Sequence, residues 1–271
     1  MDASSSTVVV VTGFGPFRQH LVNSSWEATK ELSKLGLGND VDLHIIELPV
    51  VYQKAKEIVC KAWSSFQPQL MIHIGLAPTS KATIILEQCG KNKGYKEIDV
   101  CGFCPEDGCC VLEGPERIES TINLKRVWKS IQMEQMDVIF SRDAGRYICD
   151  YTYYISLYHG NGRAAFIHVP PLSKWVTAEF LGRALQTVIL EMLKQCKGRR
   201  SLASPFFSNL TGLENRKMIL KKAIKPPRIL WGKITNYGRG EKKLVGLKLH
   251  KRERKVLQTY LYLQSHLAVI F

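Results

Sequence analysis

Val8-Val-Val-Val-Thr-Gly-Phe-Gly-Pro-Phe17 opens the first regular element of the chain. Four consecutive valines suit a strand buried on both faces, because branched side chains pack well on a pleat and no polar position alternates with them. Gly13 and the Gly15-Pro16 pair then force a turn. Strand and helix patterns alternate from there. Asn23 or Ser24 can cap a helix that runs to Leu35 and stops at Gly36. Residues 41–48 read as a strand ended by Pro49. Over 52–66, Ala55, Ile58, Val59, Ala62 and Trp63 recur at the spacing of one helix face. Further strands are expected over 70–74, 83–86, 137–140 and 164–169. Helices are expected over 118–135, over 147–158, and beyond a Thr177 cap. Residues 89–117, with five cysteines, read as a loop.

Apolar strands alternating with amphipathic helices predict an α/β protein, a three-layer α/β/α sandwich with a mostly parallel sheet. Sites in such sheets lie beyond the carboxyl ends of strands. The Gly13 turn, Glu87 and the segment before Cys149 fall at such ends, and His168 lies near the end of a fourth strand.

The net charge of +14 belongs to one end of the chain. From Lys197 onward there are 18 Lys+Arg and 3 Asp+Glu, which leaves 20 basic and 21 acidic residues before it. Residues 7–196 are therefore expected to form the main domain, and 197–271 a basic, disordered or poorly packed extension. Nucleic acid or an anionic surface is the other reading of that charge, but no nucleic-acid module surrounds it. No basic leader precedes the first strand, and no apolar run is long enough to cross a bilayer, so a cytoplasmic protein without membrane insertion is expected. The eight cysteines then read as free thiols, metal ligands or a nucleophile. Cys101, Cys104, Cys109 and Cys110 suggest zinc only weakly, since adjacent cysteines are awkward ligands of one ion and no histidine is near.

Three residues could carry chemistry. Cys149 falls in the first turn of a helix, where unpaired N–H groups and the helix dipole favour a thiolate. His168, one polar residue in an apolar strand, could serve as general acid and base. Glu87, ending another strand, could hold that imidazole in one tautomer. Each taken alone is more often a packing or surface residue.

The ordered set Gly13-Phe-Gly-Pro-Phe17, Asn23-Ser-Ser-Trp26, Leu86-Glu-Gln-Cys-Gly90, Asp143-Ala-Gly-Arg-Tyr-Ile-Cys149 and His168-Val-Pro-Pro171 resembles the pyroglutamyl-peptidase I family over about residues 7 to 196. The resemblance implies a thiol protease, a hydrolase that removes N-terminal pyroglutamate from small peptides. It makes Cys149 the nucleophile, His168 the acid/base and Glu87 the third member. It places Phe14 and Phe17 against the pyroglutamyl ring, and it implies no metal or organic cofactor. Two segments depart from the family pattern. Residues 76–82 replace a small, glycine-containing stretch, and the strand before Cys149 is about two residues short. They frame the alternative, a relative that keeps the pocket and binds pyroglutamyl peptide ends, or has lost the chemistry.

Overall fold

The computed structural model describes residues 6–17, 21–77 and 82–200. Six strands form one sheet: β1 (Thr7–Phe14), β2 (Val41–Leu48), β3 (Leu70–Leu76), β4 (Thr83–Glu87), β7 (Asp137–Ser141) and β8 (Ala164–Val169). Their order is β2-β1-β3-β8-β4-β7, and every pairing is parallel except that of β8 with β4. The mostly parallel sheet is therefore present, but its last two strands run backwards.

Helices cover both faces. α1 (Ser24–Leu35), α3 (Leu124–Ser130) and α5 (Ala178–Arg200) pack on one face, over Val9, Val11, Ile72, Ile74, Leu86 and Ile167. α2 (Tyr52–Phe66) and α4 (Ile148–His159) pack on the other, over Val10, Phe14, Met71 and Phe166. Strand alternation sorts these two sets, since successive side chains point to opposite faces. Burying both produces the three layers.

α1 starts where its cap chemistry places it. Asn23 Oδ1 accepts the Ser25 N–H, and Gly36 closes the helix at φ +68°, donating its N–H to Leu32. The ends of α2, β2 and β8 also agree with the sequence pattern. The stretch 118–135 does not form one helix. Ile118 lies in β6 (Arg117–Glu119), which pairs antiparallel with β5 (Cys89–Lys91). The helix starts only after Asn123, whose side chain accepts the Arg126 N–H. The supposed loop 89–117 is thus bracketed by a three-residue ribbon, too short to show a period of two.

The short strand before Cys149 costs the sheet nothing, because all five residues of β7 pair with β4, from Thr83–Asp137 to Glu87–Ser141. Residues 78–81 of the other departing segment lie outside the described residues, as does the extension from 201 onward. No described helix is long and apolar enough to cross a membrane.

Candidate active site

β8 supplies His168, and β4 supplies Glu87 from the reversed part of the sheet. Ile85 sits directly opposite His168 and Glu87 opposite Phe166, so Glu87 and His168 are diagonal neighbours on one face. His168 Nδ1 lies 3.0 Å from Glu87 Oε1. Glu87 is therefore not beyond the carboxyl edge of the parallel strands. It reaches His168 sideways, across an antiparallel pair. Glu87 is 2% exposed, and its backbone carbonyl accepts the Tyr153 hydroxyl at 2.8 Å. The carboxylate is thus held rigidly on a strand whose own backbone is pinned to α4.

Cys149 is the second residue of α4. The first intrahelical bond runs from the Tyr151 N–H to the Tyr147 carbonyl, and the Tyr147 side chain does not cap the helix. Cys149 therefore sits at the positive end of the helix dipole, in the turn whose N–H groups have no intrahelical partner, a place that favours negative charge. Cys149 and His168 line the same cavity. With Nδ1 engaged by Glu87, the other ring nitrogen is left for the sulfur. Burial alone would lower the pKa of His168, but the interactions with Cys149 and Glu87 outweigh it and push it up to about 9.

Gly75 pairs with His168 across the sheet. A Cβ at 75 would sit 2.6 Å from Phe166 Cζ and 3.0 Å from Cys149 Sγ, so any side chain there would clash with the Phe166 ring and crowd the sulfur.

Beside the triad lies a cavity of about 320 Å³. Phe14 and Phe17 line it together with Val50, Leu76, Tyr147, Cys149 and His168. The two phenylalanines are not equivalent. Phe14 is almost wholly buried in the core under α2 and α4, whereas Phe17 is half-buried and stands 5.6 Å from the Tyr147 ring. Asn23 and Ser25 clamp the turn that presents them. Asn23 Nδ2 donates to the Gly15 carbonyl at 2.9 Å, and the Phe14 N–H donates to Ser25 Oγ at 2.9 Å. Gly13 lets α1 approach that closely, since a Cβ there would meet Trp26 Cα at 2.7 Å. Tyr147, Gly75 and this clamp escaped the sequence reading, although Asn23-Ser-Ser was in plain view.

The cysteine-rich segment does not converge on a point. Cys104 Sγ donates to the Tyr95 carbonyl, Cys109 Sγ to the Asp107 carbonyl, and Cys110 Sγ lies against the carbonyls of Lys91 and Tyr151. Among the described residues, no three His, Cys, Asp or Glu side chains are grouped to hold a metal ion.

The pyroglutamyl peptidase family matches residues 7–192 of the chain. Pyroglutamyl-peptidase 1 of Rattus norvegicus is 54% identical over 187 residues, covering 68% of this chain and 89% of that protein. The pyroglutamyl-peptidase 1-like protein of Homo sapiens is 52% identical over 183 residues, covering 67% and 92%. Among solved structures, a mutant pyrrolidone carboxyl peptidase from the hyperthermophile Pyrococcus furiosus superposes with a TM-score of 0.64 at 28% identity, over 70% of this chain and 100% of that one.

Proposed function

The chain belongs to the pyroglutamyl peptidase family, and from that membership we propose that Cys149, His168 and Glu87 perform its chemistry while Phe14 and Phe17 hold the substrate ring. The activity is that of a cysteine peptidase releasing pyroglutamate from the N-terminus of peptides. The observation that carries the residue assignment is the Glu87–His168 hydrogen bond beside Cys149, with Cys149 and His168 lining one largely apolar cavity.

In this mechanism the sulfur attacks the pyroglutamyl carbonyl carbon as a thiolate, and the first-turn N–H groups of α4 face the oxyanion that forms. His168 gives its proton to the departing amine as the C–N bond breaks, leaving a thioester. The now neutral ring takes a proton from water, and the resulting hydroxide cleaves the thioester. Glu87 holds the ring in place and balances its charge in both halves of the cycle. The lactam is compact and uncharged, so an apolar cavity can enclose it. A free α-ammonium would lose its hydration against Phe14, Phe17, Val50 and Leu76, with Glu97 as the one acidic residue of the lining to offset that loss.

The test is a pair of chromogenic amides, pyroglutamyl and glutaminyl, which differ by ring closure and by one charge. The pyroglutamyl amide is expected to turn over at least about 100-fold faster, at a cost of desolvating one ammonium of several kcal/mol. Comparable rates on the two would sink the assignment of the cavity. The basic extension plays no part in this scheme, and residues 7–196 carry all of it.

A further inference from the structure

Asp150 follows the nucleophile and is 0% exposed, in a stretch from Ile148 to Leu157 that, Cys149 apart, is otherwise buried and apolar or hydroxyl-bearing. A buried carboxylate is costly unless it is paired. Its partners form a chain around the nucleophile loop. Asp150 Oδ1 accepts the Lys91 N–H at 3.3 Å, and Oδ2 lies 2.9 Å from the Tyr95 hydroxyl and 3.4 Å from Arg146 Nη1. Arg146 in turn bonds Asp143 Oδ1 and the Gly145 carbonyl, and Lys91 Nζ bonds Asp143 Oδ2 at 2.8 Å. Ala144, Gly145, Arg146 and Tyr147 make one wall of the substrate cavity. The guanidinium thus ties that wall to the buried side of the nucleophile helix.

The Tyr95 hydroxyl lies 2.5 Å from the Lys91 carbonyl and 2.9 Å from Asp150 Oδ2, and it donates to the carboxylate in its ionised form. Ionised Asp150 is therefore held by Tyr95, by the Lys91 N–H and by Arg146, and only Arg146 answers its charge with one of its own.

We infer that Asp150 and Arg146 are a positioning pair for the peptidase reaction, in which ionised Asp150 holds the Asp143–Tyr147 wall and the start of the Cys149 helix in reactive geometry, while protonation of Asp150 removes the charge that draws Arg146. The inference rests on the Cys149 assignment above. Burial raises the Asp150 pKa to about 7, against the opposing pull of Tyr95 and Arg146. The ionised fraction therefore changes across neutral pH. The other titratable groups facing it are Cys89 and Lys91 on β5, Cys110, Asp143 and Tyr153. Burial raises the thiols and Tyr153, which stay protonated near neutrality, and Asp143 is held below the usual carboxylate range by Lys91 and Arg146 despite partial burial.

The experiment measures kcat and KM on the pyroglutamyl amide between about pH 5 and pH 9 for the full chain, Asp150→Asn, Arg146→Met and the double variant, with thermal unfolding of each. The asparagine has no charge to draw Arg146 and so mimics the neutral form. Asp150→Asn is expected to lower kcat about tenfold above neutrality and to abolish the fall in rate near pH 7. The double variant should be no worse than the poorer single one, because the two residues act as one unit. Singles that match the wild type, losses that multiply in the double, or an acid limb that persists in Asp150→Asn would each overturn the pair. A wild type with no turnover would overturn the peptidase reading, and the pair with it. Should Asp150→Asn not fold, Tyr95→Phe decides: it removes one donor to the ionised carboxylate and should move the acid limb to higher pH, and an unmoved limb counts against the inference.

Discussion

Cys149→Ala is expected to reduce turnover of the pyroglutamyl amide by at least about 1,000-fold, leaving only what binding and the surrounding dipoles supply. The substitution removes the atom that attacks and leaves the rest of the site standing. The His168–Glu87 contact does not pass through the sulfur, and the partly exposed thiol contributes little to the core. The variant should therefore fold, with a thermal midpoint close to that of the wild type. It should also retain substrate binding, because the cavity walls are intact. Its His168 should titrate below the value of about 9, since one of the groups that holds the proton is gone. Histidine titration by NMR checks that point independently of any rate. Retained turnover in Cys149→Ala would mean that another residue is the nucleophile.

Glu87→Gln is the second large effect, expected at about 100-fold or more in kcat/KM. The amide has nearly the shape of the carboxylate but cannot balance an imidazolium, and it can present its N–H group to Nδ1 and favour the wrong tautomer. The pH dependence gives the assignment its sign. The folded-state pKa of His168 lies above the ordinary histidine value of about 6.5. Stabilisation from its charged form is therefore complete below about pH 6.5 and is lost as pH rises through about 9. The rate on the alkaline side should follow the same proton, since imidazolium must protonate the leaving amine. In Glu87→Gln burial opposes the charge with less compensation, so the alkaline limb should move to lower pH. The stability difference from the wild type should be largest below about pH 6.5 and shrink above it. A profile that keeps its alkaline limb in place would show that Glu87 does not act on His168.

The strands with strong apolar runs were legible in the sequence because burial on both faces leaves no ambiguity of period. Val8–Val11 and Ala164–Val169 are of this kind, and α2 was legible from its single apolar stripe. Strand direction was not, since the pattern of β4 is the same whichever way it runs. That reversal is what brings Glu87 beside His168, so the pair could be named from the motifs but not explained by them. The ribbon at 89–91 and 117–119 is too short to show a period, and without it the helix after Asn123 reads as beginning too early. Asp150 carried a signal of its own, as the one acidic residue in a helix of apolar and hydroxyl-bearing residues. That signal is energetic rather than periodic, because such a charge must find partners, and the partners come from distant segments at Lys91 and Tyr95. Gly75 could not have been read in advance, since its role is the space it leaves for the Phe166 ring and the Cys149 sulfur, both far away in sequence.

The most direct measurement of the central claim is mass spectrometry of acid-quenched turnover, with the protein digested to locate any acyl group. A pyroglutamyl thioester on the peptide containing Cys149, absent from Cys149→Ala, is the predicted result. An acyl group on any other residue, or steady turnover by Cys149→Ala, would contradict it.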